Sequence, residues 1–236
     1  MNDDALRGPP RRDDLKTAIA AAAARRIAEE GCDYASAKRR AVRDVLGEAV
    51  GTHGAMPDNL LVESELRRYL RLFAADSQPA QLAALRRLAL QWMRRLERFN
   101  PHLVGAVLNG TATGHSGIHL NLYADSAKEV EIFLLDQAVA FDARDAGPNS
   151  DTIEEVLELL LPAPRDGVLE GAIGITLNVM DPIALRVAPA SRPRDPDLHP
   201  VERAGRASVE MVERLLAETP EPGDGAHAAR AADSDS

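Results

Sequence analysis

Leu108-Asn109-Gly110-Thr111-Ala112-Thr113-Gly114-His115-Ser116-Gly117-Ile118-His119-Leu120 marks a change in the character of the chain. Upstream of it apolar residues recur at helical spacing; from Gly117 onward they alternate. Over 117–123, Ile118, Leu120 and Leu122 fall on one side of an extended chain and His119, Asn121 and Tyr123 on the other. A period of two predicts a strand with one buried face. Immediately upstream, 102–109 is a short apolar run, read as a second, buried strand. Gly110, Gly114 and the small hydroxyl residues between the two predict a tight turn.

Downstream, Ser126 and Glu129 have capping-box spacing, so a helix is expected over 127–137 with Val130, Phe133 and Leu134 inward. A strand is expected over 139–143. The stretch 152–161 fits either a helix or a strand, and the Pro/Gly-rich turn behind it favours a strand paired with 172–180, where Ile173, Ile175 and Leu177 alternate. Three prolines in 191–200 predict a linker, and Val209, Val212, Leu215 and Leu216 a helix over 201–218. The tail 219–236 is mostly Pro, Gly, Ala, Asp and Ser, offers little to bury and is expected to be disordered.

Upstream, four helices are expected. Asp13 or Asp14 caps the first, which runs over 15–30 to a stop at Gly31; the second spans 34–46 and closes at Gly47. Pro57 suits the first turn of the third, whose apolar stripe is Val62, Leu66, Tyr69 and Phe73. The fourth runs over 77–99 and carries Leu82, Leu85, Leu88, Ala89, Trp92, Met93 and Leu96 on one face. Trp92 and Met93 sit on that stripe and read as core. Pro101 drives Asn100 out of the helical region, which places a boundary there. The expected organisation is a flexible N-terminus (1–12), a helical region (13–100), an α/β domain (101–187), the linker (188–200), a C-terminal helix (201–218) and the tail. The fold class is α+β: helices first, then a small mixed sheet flanked by helices.

Charge follows the same division. Residues 1–99 hold 18 basic and 14 acidic side chains, whereas the whole chain carries −9, so the remainder is strongly acidic. That balance argues against a general nucleic-acid coat and against binding to anionic membranes. An aromatic content of 3% disfavours base stacking, so nucleic acid is an unlikely partner. With no apolar run long enough to span a bilayer and an acidic start at Met1-Asn2-Asp3-Asp4, a cytoplasmic protein is expected. Cys32 is the only cysteine and reads as a free thiol. Lys38, Arg39, Arg40 and Arg43 cluster on the second helix, Arg67, Arg68 and Arg71 on the third, and Arg86, Arg87, Arg94, Arg95 and Arg98 on the fourth. Each group reads as a solvated face; together they would form a basic surface for phosphate-rich ligands, for an acidic protein partner or for the acidic half of the chain itself.

The segment 108–120 resembles the signature region of the nucleotidyltransferase superfamily, whose fold is that of DNA polymerase beta and the minimal nucleotidyltransferases. In that family a strand ends in Gly-Ser, which holds phosphates, and a following strand carries two metal-binding carboxylates two positions apart. Gly110-Thr111 stands where Gly-Ser would be, and Ser116-Gly117-Ile118-His119-Leu120 resembles the family's Ser-Asp-Ile-Asp-Leu. Gly117 and His119 replace both carboxylates, and Gly110-Thr111 lies closer to the strand than the family's spacing. The resemblance, over about 75 residues from Pro101 to Leu177, implies a phosphate cradle at Gly110, Thr111 and Ser116, with His119 and Asn121 lining the pocket. Gly110, Gly114 and His119 read equally as ordinary turn and strand residues.

Three functions follow as expectations. The first is a nucleotide or other phosphorylated ligand bound with little or no transfer. The second is an active transferase using Mg²⁺ or Mn²⁺ on a substituted site made of His119 and one or more of Asp125, Asp142 and Glu154. The third is a non-enzymatic scaffold acting through the arginine-rich helices. A phosphate-binding P-loop, a Gly-x-Ser-x-Gly elbow and a His-Glu-x-x-His motif are all missing from the sequence, which excludes the enzyme classes built on them.

Overall fold

A computed structural model of the protein describes residues 12–47, 56–146, 152–165, 167–189 and 198–219. The expected N-terminal extension (1–11), the tail (220–236) and most of the linker (190–197) lie outside these residues. The chain divides into two compact units, Met1–Ala75 and Asp76–Ser236.

The first unit holds α1 (Arg12–Glu30), α2 (Tyr34–Leu46) and α3 (Asn59–Phe73). Asp33 and Asp58 cap α2 and α3 by accepting the N–H groups of Ser36 and Leu61 at 2.9 and 2.8 Å. Pro57 therefore stands before the cap of α3 instead of in its first turn. Small side chains dominate the core: Ala20, Ala23 and Ala24 meet Ala37, Ala41 and Val42 and the α3 face Val62, Leu66, Leu70. Phe73 is 71% exposed and Tyr69 half-buried, so the buried stripe of α3 rotates away from the expected one. Leu70 packs into the bundle in their place, while Tyr69 hydrogen-bonds Glu29 at 2.7 Å.

The second unit is α+β. It contains α4 (Gln78–Arg95), β1 (His102–Val104), α5 (Gly105–Asn109), β2 (Ile118–Tyr123), α6 (Ala127–Asp136), β3 (Asp142–Asp145), β4 (Ile153–Pro162), β5 (Ala172–Met180) and α7 (Val209–Glu218). Leu85, Ala89, Trp92 and Met93 of α4, and Leu96 just after it, are buried in the same core as the sheet. This is why the units part after Ala75 and not at Asn100-Pro101. The sheet order is β1-β2-β5-β4-β3; β2 and β5 run parallel and the other pairs antiparallel. The ambiguous stretch 152–161 is strand, paired with β5 from Pro162↔Ala172 back to a bulge at Glu154.

Register sorts the side chains of the sheet by face. Ile118, Leu120 and Leu122 stand beside Ile175, Leu177 and Val179, and Leu157 and Leu159 continue that row, all buried under α4, α6 and α7. The opposite face carries His102, His119, Asn121, Thr176, Asn178, Glu158, Asp142 and Arg144, half-buried or exposed.

Two expected strands differ. The apolar run 102–109 is a strand only to Val104, because Gly105 takes φ +73° and turns the chain into α5. The strand expected over 139–143 pairs instead as Asp142–Asp145, a fully exposed, charged edge of the kind that resists further pairing. The C-terminal helix starts at Val209; before it, Ala207 bridges Leu103 beside β1.

Candidate functional site

The turn between α5 and β2 spends its polar groups on itself. Thr111 is 1% exposed; its N–H and hydroxyl both donate to Asn109 Oδ1, at 3.0 and 2.7 Å, and the N–H also reaches the Ala106 carbonyl. Thr113 N–H donates to Ser116 Oγ at 2.9 Å, while the N–H groups of His115 and Ser116 return to the Thr113 hydroxyl and carbonyl. Gly110 adopts φ +82° at the end of α5, and a side chain there would run into Glu202. Within the expected phosphate cradle these bonds engage the N–H and hydroxyl of Thr111 and the N–H of Ser116, while Ser116 Oγ accepts from Thr113.

Two side chains of α4 complete the turn. Gln78 Nε2 donates to the carbonyls of Gly110 and Ala112, both at 3.1 Å. Arg86, expected on a solvated face, is 3% exposed and donates to the carbonyls of Val107 and Leu108 and to Glu202 Oε1. Burial lowers the pKa of Arg86 and the Glu202 carboxylate opposes that shift. The orphan carbonyls at the end of α5 are thus served from a neighbouring helix, the accounting that every buried helix end requires.

The glycine that does stand at the end of a strand is Gly105. It connects β1 to α5, and a Cβ built on it would lie 3.7 Å from Cδ2 of His119, so the imidazole borders the space that a side chain at 105 would occupy. Val104 pairs with His119 in the β1–β2 ladder, which sets this contact. Gly105 was hidden in sequence by the apolar residues on both sides of it.

Two cross-strand rows lie on the open face, and His119 belongs to the first. One runs Val104, His119, Thr176, Glu158, Asp142; the other runs His102, Asn121, Asn178, Val156, Arg144. Asn178 Nδ2 donates to Asn121 Oδ1 at 3.0 Å, and Arg144 pairs with Glu158 at 2.9 Å. Although its side chain is exposed, the atoms around the His119 ring exclude enough water to lower its pKa, and the charge of Glu158 opposes that shift. His102 is shifted down for the same reason; its Nδ1 lies 2.9 Å from the Asn100 carbonyl, and its ring stands edge-on to Tyr123.

A cleft of ≈ 480 Å³ opens at the Asp142 end of the first row, lined by Phe141, Asp142, Glu158, Leu160, Gly174 and Thr176 and not by His119. Its volume is that of small-molecule sites. Ser116 lines a different cleft of ≈ 440 Å³, with Ser77, Gln81, Thr113, His115 and Glu170. His119 and Asn121 therefore share a face with Asp142, while Gly110, Thr111 and Ser116 belong to the turn. Asp125 is an exposed loop residue beyond β2, and Glu154 is exposed in the bulge of β4. In the helical unit, Lys38 donates to Asn59, Arg39 to Ser36 and Arg40 to Glu30, so three of the four expected basic-surface residues have partners within that unit; Arg43 lies exposed in the last turn of α2. Among the described residues no helix is long and apolar enough to cross a membrane. No protein-family model, curated protein or solved structure matches the chain, so the site is read from its own geometry.

Proposed function

We propose that the sheet unit is a nucleotidyltransferase-like domain that binds a nucleotide or another phosphorylated ligand with little or no transfer activity. The ligand lies on the open face of the sheet beside Gly105 and His119, and not in the turn 110–116. One observation carries this reading: a strand ends in a positive-φ glycine, a short helix follows, and an antiparallel strand returns to place His119 against that glycine. Backbone can be approached closely at such a glycine, since no Cβ intervenes. The alternative of an arginine-rich scaffold gains no comparable support, because Lys38, Arg39 and Arg40 already have partners in their own unit.

Calorimetric titration of the full chain with ATP, GTP, CTP and UTP, with and without Mg²⁺, tests the reading. Saturable heat and a raised melting temperature with at least one of them are expected; silence with all four refutes it. Incubation with labelled nucleotide separates binding from catalysis. Label moved to protein, RNA or a small acceptor, and lost in His119→Ala, would make the domain an active transferase.

A further inference from the structure

The resemblance implies divalent metal ions held by carboxylates on the strand after the turn, and the residues of this face do not fit them. Gly117 stands at the first carboxylate position, where a Cβ would lie 2.9 Å from the carbonyl oxygen of Gly174. No side chain enters that gap without moving the backbone of β5. The second position is His119, and the strand beside it offers Thr176 and Asn178 at the paired positions. None of these supplies the anionic oxygen that Mg²⁺ demands. The carboxylates of this face lie farther off, Glu158 on β4 and Asp142 on β3, two and three strands from β2. At about 4.8 Å per strand the backbones of Glu158 and Asp142 stand roughly 10 and 14 Å from that of His119, although the Glu158 carboxylate is near enough for its charge to act on the ring. Glu158 is moreover bound to Arg144. Among the described residues no group of three or more His, Cys, Asp or Glu side chains could hold a metal ion.

What the face does offer is hydrogen bonding without net charge. In the Asn121–Asn178 pair one amide donates to the other. Three N–H groups and one wholly free carbonyl oxygen remain for a ligand, and exchanging O and N in both residues leaves the same set. Thr176 adds a hydroxyl next to His119. A triphosphate placed here would have the carboxylates of Glu158 and Asp142 as charged neighbours on the β4–β3 side, with Arg144 already committed to Glu158; on the β1 side Arg206, near enough to His102 to lower its pKa, is held by the Tyr123 hydroxyl and the carbonyls of Ala184 and Leu185.

We infer that this face binds its ligand without a divalent cation, through an uncharged hydrogen-bonding part of the molecule (a nucleobase or ribose) and not through its phosphates. The inference rests on the nucleotide reading above and narrows it. Three titrations of the full chain test it: MnCl₂ alone, the four nucleoside triphosphates in Mg²⁺ and in EDTA, and the four matching nucleosides. Mn²⁺ alone is expected to show no saturable binding. The triphosphate that binds should change Kd by less than about threefold in EDTA, and its nucleoside should bind within about tenfold of it. A loss of more than about tenfold in EDTA, a nucleoside weaker by more than that, or a saturable Mn²⁺ site abolished in His119→Ala overturns the inference and leaves the nucleotide reading standing. Silence from all eight ligands overturns the nucleotide reading, and this inference falls with it.

Discussion

Gly117 sits so close to β5 that a Cβ on it would stand 2.9 Å from the carbonyl oxygen of Gly174. The glycine is therefore a packing requirement at the start of β2, independent of any ligand. Gly117→Ala is expected to destabilise the sheet unit by about 1–3 kcal/mol, the usual cost of forcing an extra methyl into closed space. Gly114→Ala is the control, since the nearest neighbour of its Cβ would be the Gln81 side chain at 3.9 Å. Urea unfolding followed by fluorescence of Trp92, the single tryptophan and a core residue of this unit, reads both.

Arg86 and Glu202 form a second requirement. Removing the guanidinium leaves a largely buried carboxylate with no opposite charge, its other oxygen still accepting the His199 N–H, and takes the donor from two carbonyls of α5. Arg86→Met should cost about 3–5 kcal/mol, whereas Arg86→Met with Glu202→Leu should recover much of the loss, because no unpaired charge remains. Equal destabilisation of the single and double variants in the same urea assay would show that the carbonyl contacts, and not the ion pair, dominate.

Thr111→Val keeps the shape of the side chain and deletes the hydroxyl donated to Asn109. A loss of about 1 kcal/mol is expected, with nucleotide affinity unchanged. Affinity that falls along with stability would return the turn to the binding site.

The pKa values of His119 and His102 are both pushed below the ordinary 6.5, chiefly by the protein atoms that displace water around their rings. A histidine of this kind stays neutral in the folded protein over a range where the unfolded chain takes up a proton, so the unfolded state binds more protons there. Stability is then unaffected above pH 6.5, falls as the pH drops below it, and stops falling on this account below the folded-state pKa. His119→Gln should flatten that decline between pH 6.5 and 5. Melting curves across the range check it, and an unchanged slope would mean that the ring is fully hydrated in the folded protein.

Alternation made β2 and β5 legible in sequence, and the α4 stripe gave away its buried face. Other features were opaque for identifiable reasons. Arg86 precedes Arg87 on a helix rich in arginine, and the pattern cannot tell which of two adjacent guanidiniums meets a carboxylate 116 positions later. Gly105 lies within an apolar run that suits a strand from end to end, so the switch to α5 left no mark in hydrophobicity. The hydroxyls of Thr111 and Ser116 have the composition of a phosphate cradle; only their local partners show that Thr111 donates to Asn109 and that Ser116 accepts from Thr113. Pro101 and the shift in charge mark a bend in the chain, whereas the unit boundary follows where the α4 side chains are buried.

Backbone-amide NMR of the full chain, titrated with the nucleotide that calorimetry selects, tests the placement of the ligand most directly. Chemical-shift changes are expected to concentrate at Gly105, His119, Asn121, Thr176 and Asn178, with the amides of 110–116 nearly still. Changes concentrated on Thr111, Thr113 and Ser116, with the open face silent, would contradict it.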